Sequence, residues 1–166
     1  MTCYFEGENR PGHLTGVSTV VLKLFNLVQP DFSVFGKKDY QQLQMIRKMV
    51  TDLNLNIDII AGETIREEDG LAMSSRNQYL SIDNRQKAIT LYQQLSWAAQ
   101  QYRLDSSDFS TIKQQAIDIL SSNGFKVDYF DLCGQQTLAP LSCNSPSVIV
   151  AAATLGVTRL IDNIEI

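Results

Sequence analysis

A chain of 166 residues with 44% hydrophobic and 19% charged side chains is neither disordered nor fibrous, and is long enough for one domain or two small ones. Fourteen Lys and Arg against eighteen Asp and Glu leave a net charge of −4, which disfavours the basic face of a nucleic-acid binder. Cys3, Cys133 and Cys143, with no C-x-x-C and a single histidine, point to reduced thiols in a cytosolic protein rather than to a disulfide framework or a zinc site. The longest apolar runs, such as Val148–Ala153, fall far short of the ~20 residues a membrane span needs. The start, Met1-Thr2-Cys3-Tyr4-Phe5-Glu6, has neither the basic nor the apolar region of a signal peptide. The expectation is a soluble cytoplasmic protein with neither membrane nor nucleic acid as a partner.

Residues 1–13 read as a short extended piece and a loop, punctuated by Gly7, Asn9, Pro11 and Gly12. Val17, Val20, Val21, Leu24, Leu27 and Val28 then recur at the spacing of one helix face, and Pro30 stops the helix. Phe32–Phe35 is a strand closed by Gly36. A helix from about Tyr40 follows, with Leu43, Ile46, Val50 and Leu53 inward and Asp39 and Gln42 as a capping box. Residues 57–61 form a second strand closed by Gly62. Helices alternating with strands at short spacing predict a parallel sheet with crossover helices.

After Gly62 the pattern changes. Glu67-Glu68-Asp69-Gly70 is a charged turn, and Ser81 caps one long helix carrying Ala88, Leu91, Leu95, Ala98 and Tyr102. Asp108 caps another, with Ile112, Ala116, Ile119 and Leu120 inward and Asn123-Gly124 as its stop. Phe125–Leu132, Ser147–Ala153 and Thr158–Ile164 read as strands, the nearly all-apolar middle one being the most buried. Five Gln-Gln pairs are irregularly spaced and form no repeat. The predicted fold class is α/β: an incomplete Rossmann-like parallel sheet in residues 1–64, then a small α+β domain in 65–166 with a three-stranded antiparallel sheet. Two parallel strands with two helices do not close a doubly wound core, so the first segment reads as the second half of a larger domain.

Phe35-Gly36-Lys37-Lys38-Asp39 runs from a strand end through glycine into a helix start, where backbone N–H groups and the helix dipole favour an anion such as phosphate. Two lysines there are misplaced against the dipole by roughly 0.3–1 kcal/mol each, unless a bound anion supplies the missing charge. The same stretch also reads as a solvated turn. Met73-Ser74-Ser75-Arg76-Asn77 places two hydroxyls and a guanidinium fork in series, a set suited to polyphosphate oxygens. Its plainer reading is a polar loop leading to the Ser81 cap, with Arg76 in a surface ion pair. Neither serine sits in a nucleophile elbow. His13 reads equally as a loop histidine or a proton carrier, and one histidine cannot build a multi-histidine metal site. Glu67, Glu68 and Asp69 read as a solvated turn, and Trp97 and Tyr102 as packing.

Taken in order, Arg10-Pro11-Gly12-His13, Gly16–Val21, Lys23–Asn26, Gln29–Asp31, Phe35–Gln42, Asp69–Asn77 and Arg159–Asn163 closely resemble the pantothenate synthetase (pantoate–β-alanine ligase) family. The resemblance runs from about residue 5 to the C-terminus. It implies an ATP-dependent, AMP-forming ligase that activates pantoate as pantoyl adenylate and transfers it to β-alanine. It implies Gly36, Lys37, Lys38, Asp39, Ile65, Met73, Ser74, Ser75 and Arg76 at the ATP site, and Gln42 on pantoate. The catalytic residues on this resemblance are Lys38, Ser74, Ser75 and Arg76. Mg²⁺ is held mainly through the ATP phosphates, with no protein metal site, and the full-length enzyme is a homodimer. Lys37 stands where an acidic residue is common in the family. The family's His-x-Gly-His element and a further glutamine for pantoate have no counterpart here, so the chain resembles the C-terminal portion and is expected to be inactive alone. The competing expectation is a non-catalytic interaction or folding module that keeps the scaffold.

Overall fold

Two separate sheets organise the chain. The computed structural model describes residues 4–105, 108–141 and 145–166; Cys3 and Cys143 lie outside them. One compact unit comprises the residues up to Glu63 with Gln136–Leu138, and the other comprises Thr64–Gln135 with Ala139–Ile166.

In the first unit, β1 (Phe32–Gly36) and β2 (Asp58–Gly62) pair in parallel, with Phe32 opposite Asp58 and Gly36 opposite Gly62. Helix α3 (Tyr40–Asp52) connects them and packs with α2 (His13–Val28) through Leu14, Phe25, Met45 and Ile46. Phe35 and Ile59 join this cluster, Phe25 meeting Phe35 edge-to-face at 6.4 Å. The alternate residues Phe32, Val34 and Ile60 point the other way and are exposed, so none of the described residues covers that face of the sheet.

Four local expectations for this unit are corrected. Leu53, expected inward at the end of α3, is exposed. The helix over residues 13–28 forms, but Val20, Leu24, Leu27 and Val28 are exposed, and the inward stripe is Leu14, Val17, Val21 and Phe25. Periodicity reports that two apolar stripes exist; which one meets α3 is decided by packing. Residues 6–9 form a one-turn helix, α1 (Glu6–Asn9), in place of an extended piece. Its cause is distant in sequence: the Gln41 amide accepts from the Glu6 N–H and donates to the Tyr4 carbonyl, both at 2.9 Å. The capping box does not form either. Lys37–Asp39 is a 3₁₀ turn leading into α3, and Asp39, at φ −91° and ψ 60°, lacks the extended backbone of a capping residue and makes no side-chain cap.

The second unit is an antiparallel sheet of β3 (Phe125–Gly134), β4 (Ser147–Leu155) and β5 (Thr158–Glu165), with β4 in the middle. Only Thr154 of β4 escapes full burial, which is why that strand reads as a continuous apolar run. Leu91, Leu95 and Ala98 of α5 (Thr90–Leu104) and Ile112, Ala116 and Leu120 of α6 (Phe109–Ser122) pack into its core. Trp97 and Tyr102 pack against that core as expected. Asp108 caps α6 by accepting from the Ser110 and Thr111 N–H groups, and Gly124 follows the helix with φ +87°.

Two helix expectations are corrected here. The helix capped by Ser81 is two: α4 (Ile82–Lys87) ends at a tightened turn in which the Leu91 N–H bonds the Ala88 carbonyl three residues back, and α5 starts at Thr90. Ile119 is exposed, although Ile112, Ala116 and Leu120 are buried as expected. A bulge between Val127 and Tyr129 accompanies a contact between the outer strands, where Arg159 Nε of β5 donates to Asp128 Oδ2 of β3 at 2.6 Å.

Candidate functional site

The candidate residues fall into one group in each unit. In the first, both parallel strands end on glycines, Gly36 and Gly62, which lie opposite one another. Lys37, Lys38 and Asp39 leave the end of β1 as a 3₁₀ turn, and Gln42 lies half-buried in the first turn of α3. The carboxyl ends of parallel strands are where open α/β sheets receive ligands, because connecting turns and helix starts converge there. Lys37 Nζ lies 2.7 Å from Glu63 Oε1, joining the turn after β1 to the turn after β2. Gly36 has φ −70° and ψ 135°, a backbone any residue adopts, and nothing lies within 4 Å of where a Cβ would stand. Nothing among the described residues requires glycine there. The adjacent glutamines Gln41 and Gln42 divide their work: Gln41 is buried and committed to Tyr4 and Glu6, whereas Gln42 is half-exposed.

In the second unit, the stretch from Ile65 to Tyr79 doubles back on itself. Arg66 and Ala72 form an antiparallel bridge, the Glu67 N–H donates to the Leu71 carbonyl at 2.8 Å, and the Met73 N–H donates to the Ile65 carbonyl at 2.9 Å. Gly70 makes the turn with φ +93°, a backbone that L side chains rarely adopt. A 3₁₀ turn over Ser75–Tyr79 follows, with the Ser74 hydroxyl accepting from the Arg76 N–H at 3.2 Å. Ile65, Met73, Ser75 and Arg76 are exposed and Ser74 is half-buried. Among the described residues the Arg76 guanidinium has no ion-pair partner, so the surface-pair reading has no support. Asn77 holds the stretch from behind, donating from Nδ2 to the Ala72 carbonyl at 3.1 Å.

The charged turn is more than solvated. Asp69 forms a two-pronged contact with Arg85 of α4 and also accepts from the Leu71 N–H at 3.2 Å. The Arg85 hydrogen bond holds the Asp69 carboxyl below its ordinary pKa. Sequence reading also missed the Arg66 fork to Asp162, 96 residues away. Only the place of Asp162 in the Arg159–Asn163 motif hinted at it.

Other candidates carry less chemistry. Gly12, in the left-handed region, occupies the N-cap position of α2, and half-buried His13 is its first residue. Cys133 is buried, and burial first, then the charge of Asp131, pushes its thiol up to about 12, so it is no nucleophile at neutral pH. Among the described residues no group of three or more His, Cys, Asp or Glu side chains could hold a metal, and no helix is long and apolar enough to cross a membrane.

Residues 1–165 match the family model described as pantoate-beta-alanine ligase. The chain is 52% identical over 161 residues to a pantothenate synthetase from Hahella chejuensis, covering 96% of this chain and 57% of that protein. It is 49% identical to one from Nitrosospira multiformis, covering 97% of this chain and 58% of that protein. The crystal structure of a pantothenate synthetase from Thermus thermophilus superposes with a TM-score of 0.91 at 42% identity, over 99% of this chain and 60% of that one. A pantoate-beta-alanine ligase from Francisella tularensis, complexed with beta-gamma ATP and beta-alanine, superposes at 0.73 with 33% identity, over 99% of this chain and 54% of that one. This chain thus spans a little over half the length of these relatives. With its two sheets and both candidate groups inside the matched region, it belongs to the pantoate-beta-alanine ligase family.

Proposed function

We propose that the chain is the C-terminal part of a ligase that joins pantoate to β-alanine at the expense of ATP. The observation that carries this reading is the Gly36–Lys38 turn at the carboxyl end of β1, next to a glycine that its own backbone does not require. Glycine without an internal reason is expected where a ligand comes close to the backbone. The Francisella relative's complex with beta-gamma ATP and beta-alanine supports the choice of substrates.

On this reading a pantoate carboxylate oxygen attacks the α-phosphorus of ATP, forming pantoyl adenylate and releasing pyrophosphate. The β-alanine amine then attacks the acyl carbon, and AMP leaves with the acyl–oxygen bond electrons. Lys38 stabilises charge on the phosphates, with Gly36, Lys37 and Asp39 lining the nucleotide site. Ser74, Ser75 and Arg76 donate to phosphate oxygens, Ile65 and Met73 contact the nucleotide, and Gln42 hydrogen-bonds pantoate. Mg²⁺ enters on the ATP phosphates, consistent with a donor set of lysine, arginine and hydroxyls rather than clustered carboxylates. Catalysis is orientation plus preorganised positive charge, with no covalent enzyme nucleophile.

The first unit is the C-terminal part of a Rossmann-like domain. Its exposed Phe32, Val34 and Ile60, and the outer stripe of α2, are covered in the complete enzyme by the further length that the relatives possess. The complete enzyme is a cytoplasmic homodimer. The experiment is pyrophosphate release with ATP, Mg²⁺, pantoate and β-alanine, using the chain alone and then mixed with the N-terminal part of a full-length relative. Release only in the mixture, lost in Lys38→Ala, supports the reading. Turnover by the chain alone that Lys38→Ala abolishes overturns its incompleteness. No release in either, with unchanged backbone amide shifts on adding MgATP, favours the non-catalytic module.

A further inference from the structure

The groups assigned to phosphate in the second unit sit on a short, exposed carrier. Ser75 and Arg76 are exposed, and their 3₁₀ turn is only five residues long. Orienting donors before a ligand arrives requires neighbours that lock their backbone.

Besides Asn77 and the contact of this turn with β5, the stretch leading into it is held by Arg66. Its Nη1 donates to Asp162 Oδ2 at 2.6 Å and its Nη2 to Asp162 Oδ1 at 3.0 Å. The same Nη1 donates to the Gly70 carbonyl at 3.1 Å, and the guanidinium lies 3.5 Å from the centre of the Tyr92 ring of α5. The Asp162 carboxylate, on β5, is almost wholly buried and also accepts from the Asn163 N–H at 2.9 Å. The Arg66 backbone is bridged to Ala72, which directly precedes Met73. One residue therefore ties the side running into Met73–Arg76 to both the sheet and a core helix.

We propose that Arg66 is a positioning residue: through Asp162 and Tyr92 it fixes the backbone of residues 70–73, and so the aim of Ser74, Ser75 and Arg76. The functional half of this rests on the phosphate role proposed above, while the geometric half does not. A purely structural ion pair would stabilise the unit without affecting that aim. Deleting Arg66 would strand a buried carboxylate and endanger folding. Arg66→Lys is the informative variant. It keeps a positive charge for Asp162 but cannot make the planar fork, stack flat on Tyr92 and reach Gly70 together.

The test uses the full ¹⁵N-labelled chain with MgATP as probe, reading affinity from the Ser74–Arg76 amide shifts and hydrogen exchange at Met73, Phe130 and Ala151. Arg66→Lys is expected to weaken MgATP binding by about 5–10-fold. Met73 exchange should rise about tenfold or more while Phe130 and Ala151, paired across β3 and β4, keep their rates. In an Arg76→Ala background Arg66→Lys should cause a clearly smaller loss than in the parent, because part of its effect acts through the Arg76 side chain it aims. Unchanged affinity, additive losses in the two backgrounds, or equal acceleration of exchange throughout the unit would each overturn the proposal. A parent chain whose Ser74–Arg76 amides ignore MgATP removes the nucleotide reading alone. The exchange comparison then decides: selective acceleration at Met73 supports the positioning role, and an unchanged Met73 overturns it.

Discussion

The Lys37 ammonium stands 2.7 Å from Glu63 Oε1, so the turns leaving the two parallel strands are joined by an ion pair. Lys37 thus has a carboxylate partner that a phosphate would have to displace or share. Lys38, its neighbour in the same 3₁₀ turn, is the lysine assigned to phosphate. Lys38→Ala should weaken MgATP binding by about 10–100-fold, the loss of a hydrogen bond to a charged group. Lys37→Ala should cost about fivefold or less, because the Lys37 ammonium is already engaged by Glu63 and its gain from a phosphate is offset by sharing or losing that carboxylate. Calorimetric titration of MgATP into both variants checks this, and equal losses would remove the assignment.

Gly36→Ala separates ligand approach from folding. The backbone at Gly36 accepts alanine and the Cβ position is open, so the stability should hold or rise slightly, by the ~0.4–1 kcal/mol that such exchanges gain from the unfolded chain. MgATP affinity should nevertheless fall, because the methyl occupies the approach to the strand end. Unaltered affinity with unaltered stability would show that no ligand approaches this backbone.

Gly156→Ala should do the opposite. Gly156 opens the two-residue turn between β4 and β5 with φ +61°, the first position of a tight hairpin turn where glycine is favoured. An added Cβ would lie 2.5 Å from Asn84 Nδ2; the flexible amide can swing away, but the left-handed backbone stays strained. A loss of about 1–2 kcal/mol is expected in urea unfolding, with MgATP shifts at Lys38 unchanged. A neutral substitution would mean that the turn relaxes without cost.

Acid should unpick the start of α6. The Ser110 and Thr111 side chains and the Thr111 N–H that hydrogen-bond Asp108 hold its carboxyl at about 2, below the ordinary 3.8. A carboxylate with a depressed folded pKa contributes stability that is fully present above 3.8 and lost as pH falls through about 2. Asp108→Asn should therefore flatten stability against pH between about 4 and 2, as followed by chemical unfolding. An unchanged acid slope would show that the cap does not contribute.

Several elements were legible because their causes are local. The parallel pair, the three antiparallel strands, the burial of β4 and the caps at Ser81 and Asp108 follow from apolar period, turn residues and capping chemistry within a few positions. The two stretches proposed to bind phosphate, Gly36–Asp39 and Met73–Arg76, stand out in the sequence for the same reason, since each is contiguous and of unusual composition.

Tertiary structure decided what depends on a distant partner. The apolar period over residues 13–28 could not say that Phe25 rather than Leu24 faces α3, because burial is settled by the surface opposite. Residues 6–9 turn helical because Gln41 grips both sides of Phe5, a cause 35 residues away. Asp39 missed its cap because the chain tightens into a 3₁₀ turn before α3 begins. Nothing in its neighbours marks Arg66; only the folded sheet brings Asp162 and Tyr92 to it, and charge pairs across 96 residues carry no local pattern. Local chemistry is written in neighbouring residues, whereas the choice of inward face and the bracing of a loop are properties of surfaces that exist only after the chain has packed.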